Sequence, residues 1–248
     1  TPEKLAEAVG GLKWLEPDLF VVSAYGKIIP QSILDIPKFG SLNIHPSLLP
    51  IYRGPSPIQT SILNGDKISG VSILIVDKEM DHGPVVTTKE ISLSNTDTFD
   101  SLSKKMFLAG AELLVKIIPD FARPERSRRV SGKIKPVEQD HEKATFTKMF
   151  SKEDGYFKLP EEEQINPVFL EKLDRMIRAF YPWPTAWTLW CPQSSHDHAH
   201  RASPNVRPNV RKIIKFLPES MIQMEGKKPV KLEDFLRGYP TFPIKNLF

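Results

Sequence analysis

Between residues 18 and 26 the chain reads Asp-Leu-Phe-Val-Val-Ser-Ala-Tyr-Gly, a near-continuous apolar run closed by glycine. Such a run suits a strand buried on both faces, as in a parallel sheet. A second strand is predicted from Gly40 to His45 and a third from Gly70 to Asp77, with Val-Ser-Ile-Leu-Ile-Val as its apolar body. Between them Ser56 to Asn64 has helical character, and Pro57 is tolerated there because it falls in the first turn. Phe99, Leu102, Met106, Ala109, Leu113 and Ile117 recur at steps of three and four, which predicts an amphipathic helix over Phe99 to Ile118. A helix-like segment, Pro2 to Trp14, opens the chain. Strand and helix alternate, so an α/β domain is predicted, with a mostly parallel sheet.

After Ile118 the texture changes. Residues 123–142 are polar, basic and without periodicity, as expected of an exposed connection. A helix follows from Asn166 to Phe180, with Phe169, Leu170, Leu173, Ile177 and Phe180 on one side, and it ends before Tyr181-Pro182-Trp183-Pro184. Short β-like pieces come next: Thr185 to Trp190, Lys212 to Leu217, Met221 to Met224 and Lys228 to Leu232. Their length and spacing predict a small barrel or sandwich. Residues 194–211 hold the tandem Pro-Asn-Val-Arg-Pro-Asn-Val-Arg without an apolar pattern and read as an insertion in a loop. The expected division is a first domain over 1–134, a linker over 135–151 and a second domain over 152–248.

Composition narrows the function classes. The apolar and charged fractions, 40% and 26%, are those of an ordinary globular protein. No apolar run reaches the length of a membrane span and no secretory leader pattern opens the chain, so the expected setting is the cytoplasm, with no membrane partner. One cysteine, Cys191, rules out an intramolecular disulfide and a multi-thiolate metal centre. The chain lacks an initiator methionine and opens directly before a central-looking strand, which gives the expectation of an N-terminal truncation. Charge is uneven. Residues 1–122 carry 11 Lys+Arg against 14 Asp+Glu, and residues 123–248 carry 23 against 16. The second half, at net +7, is the one that suits a polyanion.

The candidate chemistry begins at Ser41-Leu42-Asn43-Ile44-His45-Pro46. In a strand, residues i and i+2 share a face, so Asn43 and His45 project together while Leu42 and Ile44 enter the core. Pro46 then ends the strand at its carboxyl end, the edge where open α/β sheets bind ligands. Asn donates to an oxygen gaining negative charge, and His moves a proton near neutral pH or, as imidazolium, stabilises the same charge, so the pair suits acyl transfer. Asp81, in the loop after the third strand, is the candidate third member; a parallel neighbour strand would bring it to the same edge, and its carboxylate would raise the imidazole pKa. Gly83 in that loop permits an unusual backbone, and Asp77 and Glu79 are nearby alternatives. There is no Gly-x-Ser-x-Gly elbow and no Cys beside a His, so direct transfer between two bound substrates is favoured over a covalent acyl-enzyme. Ser47, Leu48, Leu49 and Pro50 offer backbone polar groups over an apolar floor, suited to a planar heterocycle or to ordinary loop packing. Arg53 is usable for an acidic substrate or for a surface ion pair. His196, His198 and His200 match no helical or finger ligand spacing, and no metal is expected.

Together, Asn43 to Pro50, Tyr52-Arg53-Gly54, Gly70-Val71 and Asp81-His82-Gly83 resemble the core of enzymes that use 10-formyltetrahydrofolate. Arg53-Gly54-Pro55-Ser56-Pro57-Ile58-Gln59, Ala24-Tyr25-Gly26 with Ile29-Pro30, and Ile177 to Pro184 are similar, more narrowly, to the methionyl-tRNA formyltransferase family. The resemblance implies a Rossmann-like sheet, incomplete at the N-terminus, followed by a small OB-like β-barrel that helps hold tRNA. It implies 10-formyltetrahydrofolate as cosubstrate, initiator methionyl-tRNA as acceptor and a monomer. It also implies Asn43, His45 and Asp81 as the catalytic trio, with Asn43 and a protonated His45 stabilising the tetrahedral oxyanion and Asp81 holding His45 charged and assisting proton removal from the amine, a folate site at Tyr25, Gly26, Ile28, Ile29 and Ser47 to Pro50, and a substrate contact at Arg53. Pro46 stands where glycine is common, and His82-Gly83-Pro84 differs from the commoner Thr-Gly-Asp. Two rivals share parts of the pattern: a formyltransferase acting on a nucleotide-linked amino sugar, and a non-catalytic RNA-binding protein. A glycinamide ribonucleotide enzyme would not need the basic second half.

Overall fold

The computed structural model describes residues 5–122, 134–192 and 211–247. These fall into two compact units, one of residues 1–61, 66–95 and 101–149, the other of residues 62–65, 96–100 and 150–248.

The first unit opens with a 3-10 turn, Leu5–Ala8, and helix α1, Val9–Trp14. Four strands follow, β1 (Phe20–Ser23), β2 (Ser41–His45), β3 (Ile68–Ile75) and β4 (Val85–Ser92), with helix α2 (Gln31–Leu34) between the first two and α3 (Pro57–Asn64) between the second and third. Pro57 is the first residue of α3, where its missing N–H costs nothing. The sheet order is β1-β2-β3-β4. β1 and β2 are parallel, with Ser23 opposite Ile44, while β2–β3 and β3–β4 are antiparallel. This corrects the expected mostly parallel sheet. The apolar run of β3 is buried on both faces, a pattern that is the same for a parallel and an antiparallel central strand. β1 departs too: Val21 is 49% exposed, because among the described residues this strand pairs only with β2. β4 was not anticipated, since Val-Val-Thr-Thr-Lys-Glu-Ile-Ser lacks an apolar run and is largely solvated.

Helix α4 (Phe99–Phe121) continues past the predicted end and carries Pro119 in its last turn. Its Leu102, Met106, Ala109, Gly110, Leu114 and Ile117 are buried, and the last four turns pack on Leu42, Ile44, Val71 and Ile73 of the sheet. Each such fully buried aliphatic side chain contributes roughly 1.5–3 kcal/mol. At Gly110 a Cβ would stand 2.5 Å from Ile44 Cγ2, so only glycine lets the helix lie this close to β2. The expected exposed connection over 123–142 is half corrected. Residues 123–133 lie outside the described residues, but Gln139 is buried and Val137 bridges to Val85.

In the second unit Asn166 caps helix α5 (Pro167–Phe180), its Oδ1 accepting from Phe169 N at 2.9 Å. Strands β5 (Ala186–Trp190), β6 (Lys212–Leu217), β7 (Met221–Met224) and β8 (Val230–Lys231) form an antiparallel meander, and helix α6 (Leu232–Gly238) follows. β5 and β8 do not pair, so the described sheet is open where a closed barrel was expected. Leu173, Ile177, Phe216, Ile222, Phe235, Phe242 and Ile244 make its core. The predicted loop insertion at 194–211, with its three histidines, lies outside the described residues except for Arg211.

Candidate active site

Alternation along β2 sends Leu42 and Ile44 into the core and puts Asn43 and His45 on the other face. Asp81 reaches both. Its Oδ1 accepts from Asn43 Nδ2 at 3.3 Å and faces His45 Nδ1 at 3.4 Å, and its Oδ2 accepts the Gly54 N–H at 2.8 Å. The trio anticipated from sequence is thus gathered at one carboxylate, by a different route from the one anticipated. β3 is antiparallel to β2, so its carboxyl end lies beside Leu42, and the loop after it must turn back along the sheet to deliver Asp81. The unusual backbone falls on Asp81 itself, at φ 51°, a region Asp tolerates better than most residues. Gly83 has another role: a Cβ there would come 2.0 Å from Ile75 O, so its bareness lets the loop lie against β3. Ile75 N donates to Pro84 O and closes the loop.

Asp77 and Glu79, the alternatives to Asp81, do not join the cluster. Asp77 Oδ2 is 2.7 Å from His82 Nδ1, and His82 stacks on His141 with ring centroids 4.1 Å apart.

His45 is 4% exposed, and its Nε2 donates to the Tyr52 carbonyl at 2.9 Å. Burial holds its pKa below the ordinary histidine value; the Asp81 carboxylate and the Tyr52 carbonyl pull upward, and the Arg53 charge adds to the lowering. The expected rise from Asp81 is present as a contribution, but burial outweighs it. The balance runs against the charged His45 expected from the sequence; the Tyr52 carbonyl, an acceptor, puts a proton on Nε2, and Nδ1 faces the Asp81 carboxylate. A histidine held neutral in the fold stabilises the protein fully above its unfolded pKa of about 6.5, and that stability is lost as pH falls toward the lowered folded value. The thermal midpoint is therefore expected to fall with pH below about 6.5 more steeply in the parent than in His45→Gln. Parallel Tm–pH curves from calorimetry would contradict this.

The remaining predicted positions divide. Ser47 is fully buried; its Oγ donates to Ile51 O at 2.6 Å and its carbonyl accepts from Ser72 Oγ at 2.7 Å. Leu49 N donates to Ser72 Oγ at 3.1 Å, so residues 47–50 form a loop pinned to β3. Tyr25, Gly26 and Ile28 are exposed and Ile29 partly so. No hydrogen bond among the described residues joins them to residues 43–54 or to Asp81, although the parallel register sets the end of β1 beside Ile44. Arg53 is 3% exposed and is not a surface ion pair: its Nε and Nη2 donate to Gln139 Oε1 at 3.0 and 2.6 Å, and Nη2 also to His141 Nδ1 at 2.8 Å. Sequence reasoning missed Gln139, which no local pattern distinguishes from its polar neighbours. Among the described residues no group of three or more His, Cys, Asp or Glu side chains is placed to hold a metal ion.

An amide and an imidazole on one strand, joined to a loop carboxylate, are the arrangement expected of acyl transfer without a covalent intermediate. A family model described as formyl transferase matches residues 2–118. The chain is 42% identical over 191 residues to a methionyl-tRNA formyltransferase of Chloroflexus aurantiacus, covering 76% of this chain and 57% of that protein. It is 34% identical over 260 residues to the methionyl-tRNA formyltransferase of Bacillus velezensis, covering 98% of this chain and 77% of that protein. The chain belongs to the methionyl-tRNA formyltransferase family. It spans little more than half the length of the Chloroflexus relative. Solved structures with the same fold include a 4-N formyltransferase from Francisella tularensis, at TM-score 0.58 and 20% identity over 75% of this chain and 71% of that one. Another is HypX from Aquifex aeolicus in complex with tetrahydrofolic acid, at TM-score 0.59 and 16% identity over 94% of this chain and 41% of that one.

Proposed function

We propose that this protein transfers the formyl group of 10-formyltetrahydrofolate to the free α-amine of methionyl-tRNA, with Asn43, His45 and Asp81 carrying the chemistry. The observation that carries the reading is the single Asp81 carboxylate shared by Asn43, His45 and the Gly54 N–H in a chain of this family. Asn43 has a second amide N–H beyond the one given to Asp81, and it is the donor for the oxygen that becomes negative when the amine attacks the formyl carbon. The amine loses a proton as the new C–N bond forms. That proton passes to the gap between His45 Nδ1 and Asp81 Oδ1, and the imidazolium formed there is stabilised by the carboxylate. Collapse of the tetrahedral adduct breaks the bond from carbon to the folate nitrogen, which takes the proton from His45. A neutral resting His45 is the form this sequence of steps requires.

The folate lies against Tyr25 to Ile29 and Ser47 to Pro50 in this reading, supported by the parallel register that carries the end of β1 to the His45 end of β2. Arg53 is assigned to the substrate side only through the backbone it fixes, since its guanidinium is buried. The basic half of the chain, residues 123–248, suits tRNA, with a barrel-like second domain over 152–248 as its platform and a cytoplasmic monomer as the working form. The test is transfer of labelled formyl from 10-formyltetrahydrofolate to methionyl-tRNA, with a nucleotide-linked amino sugar as the competing acceptor. Methionyl-tRNA is the expected acceptor. Transfer only to the sugar amine assigns the other substrate class, and calorimetry with no folate binding reduces the chain to an RNA-binding module.

A further inference from the structure

The Asp81 loop has no sheet ladder to hold it, yet it must keep a carboxylate within reach of two strand residues. The backbone carbonyls of Asp81 and Gly83 both point at Gln139, whose Nε2 donates to them at 2.9 and 2.7 Å. One amide nitrogen, with two N–H groups, satisfies both. The direction of that amide is fixed from its other end, because Arg53 has only donors and occupies Oε1 with Nε and Nη2. A flipped amide would set NH2 against the guanidinium and oxygen against two carbonyls. Arg53 is itself fixed by main-chain bonds, Arg53 N to Thr145 O at 2.8 Å and Thr147 N to Arg53 O at 2.8 Å. The next residue, Gly54, gives its N–H to the Asp81 carboxylate. The loop is therefore gripped at its backbone by Gln139 and at its side chain by Gly54, and both grips are anchored at Arg53.

We propose that Gln139 is a positioning residue for Asp81: it locks the loop whose carboxylate serves Asn43 and His45, and Arg53 sets the direction of the lock. The inference rests on the proposed formyl transfer for its catalytic consequence and on the hydrogen bonds above for the lock. Gln139→Glu separates the two duties of the side chain. The carboxylate keeps the size and the bond to Arg53, as an ion pair, so the fold is retained; it has no proton to give the Asp81 and Gly83 carbonyls and repels them.

Amide hydrogen exchange in the parent and the variant reads the lock without any substrate. The Gly54 amide is expected to exchange about tenfold faster or more in Gln139→Glu, with the β2 and β3 amides of Ile44 and Ile73 unchanged as internal controls. With 10-formyltetrahydrofolate and methionyl-tRNA, kcat is expected to fall roughly 10–100-fold, the scale of a small misplacement of a reacting group, while the folate KM stays within about threefold. Unchanged Gly54 exchange overturns the lock whether or not the protein is active. Faster Gly54 exchange with unchanged kcat overturns the positioning role, and a parent that transfers no formyl group overturns the functional reading and not the lock.

Discussion

Asp81→Asn is expected to reduce turnover by about 10²–10⁴, the range associated with a placed general acid or base, and to leave the fold standing. Asparagine has the same shape and tolerates the left-handed backbone at this position, so the loop need not move. Its oxygen can still accept from Gly54 N. What is lost is the charge, together with the acceptor that faces both Asn43 and His45, since an amide NH2 there opposes the Asn43 donor. His45 then has nothing to balance the imidazolium formed during the reaction, and burial alone governs it. Formyl transfer to methionyl-tRNA measures the effect, and thermal unfolding checks the fold. A variant that keeps turnover within about threefold of the parent would remove Asp81 from the proton path.

Asn43→Ala and His45→Ala are expected to fall about 10²–10³ in turnover each, the usual loss on removing one donor to a developing oxyanion or one proton carrier. The two should differ in kind. Asn43→Ala removes the oxyanion donor and leaves the His45–Asp81 pair, so the pH dependence of kcat should keep its shape at a lower level. His45→Ala removes the group that titrates, so the limb assigned to it should vanish. Because the three residues act as a unit, the double variant should cost less than the product of the single losses. Near-native turnover in either single variant contradicts the assignment of roles.

The site was legible in the sequence to the extent that it depends on local periodicity. Two-residue alternation put Asn43 and His45 on one face, and the glycine-bounded apolar run before Asp77 placed the start of the third residue's loop. Strand direction was not legible. A central strand excludes water from both faces in either orientation, so Val-Ser-Ile-Leu-Ile-Val could not disclose that β3 runs against β2. β4 escaped notice because a mostly solvated strand carries no apolar signal, and its pairing is held by backbone groups that every residue possesses. Gln139 was hidden for the opposite reason. Residues 134–142 read as a solvated connection, and only the folded chain brings that one amide under Arg53 and the Asp81 loop. Burial of His45 likewise is a property of the folded chain and not of its strand pattern, which is why the upward pull of Asp81 could be foreseen and the net lowering could not.

The bare Cα of Gly110 has a reach beyond helix packing. It lies against Ile44, the residue between Asn43 and His45, on the side of the strand turned away from the reacting groups. The depth at which β2 sits in the core is thus set by the absence of one methyl group, and the two side chains on its opposite face inherit that depth as their height above the sheet. A position with no functional group of its own acts as a spacer gauge for the chemistry, from a helix packed on the opposite face of the sheet.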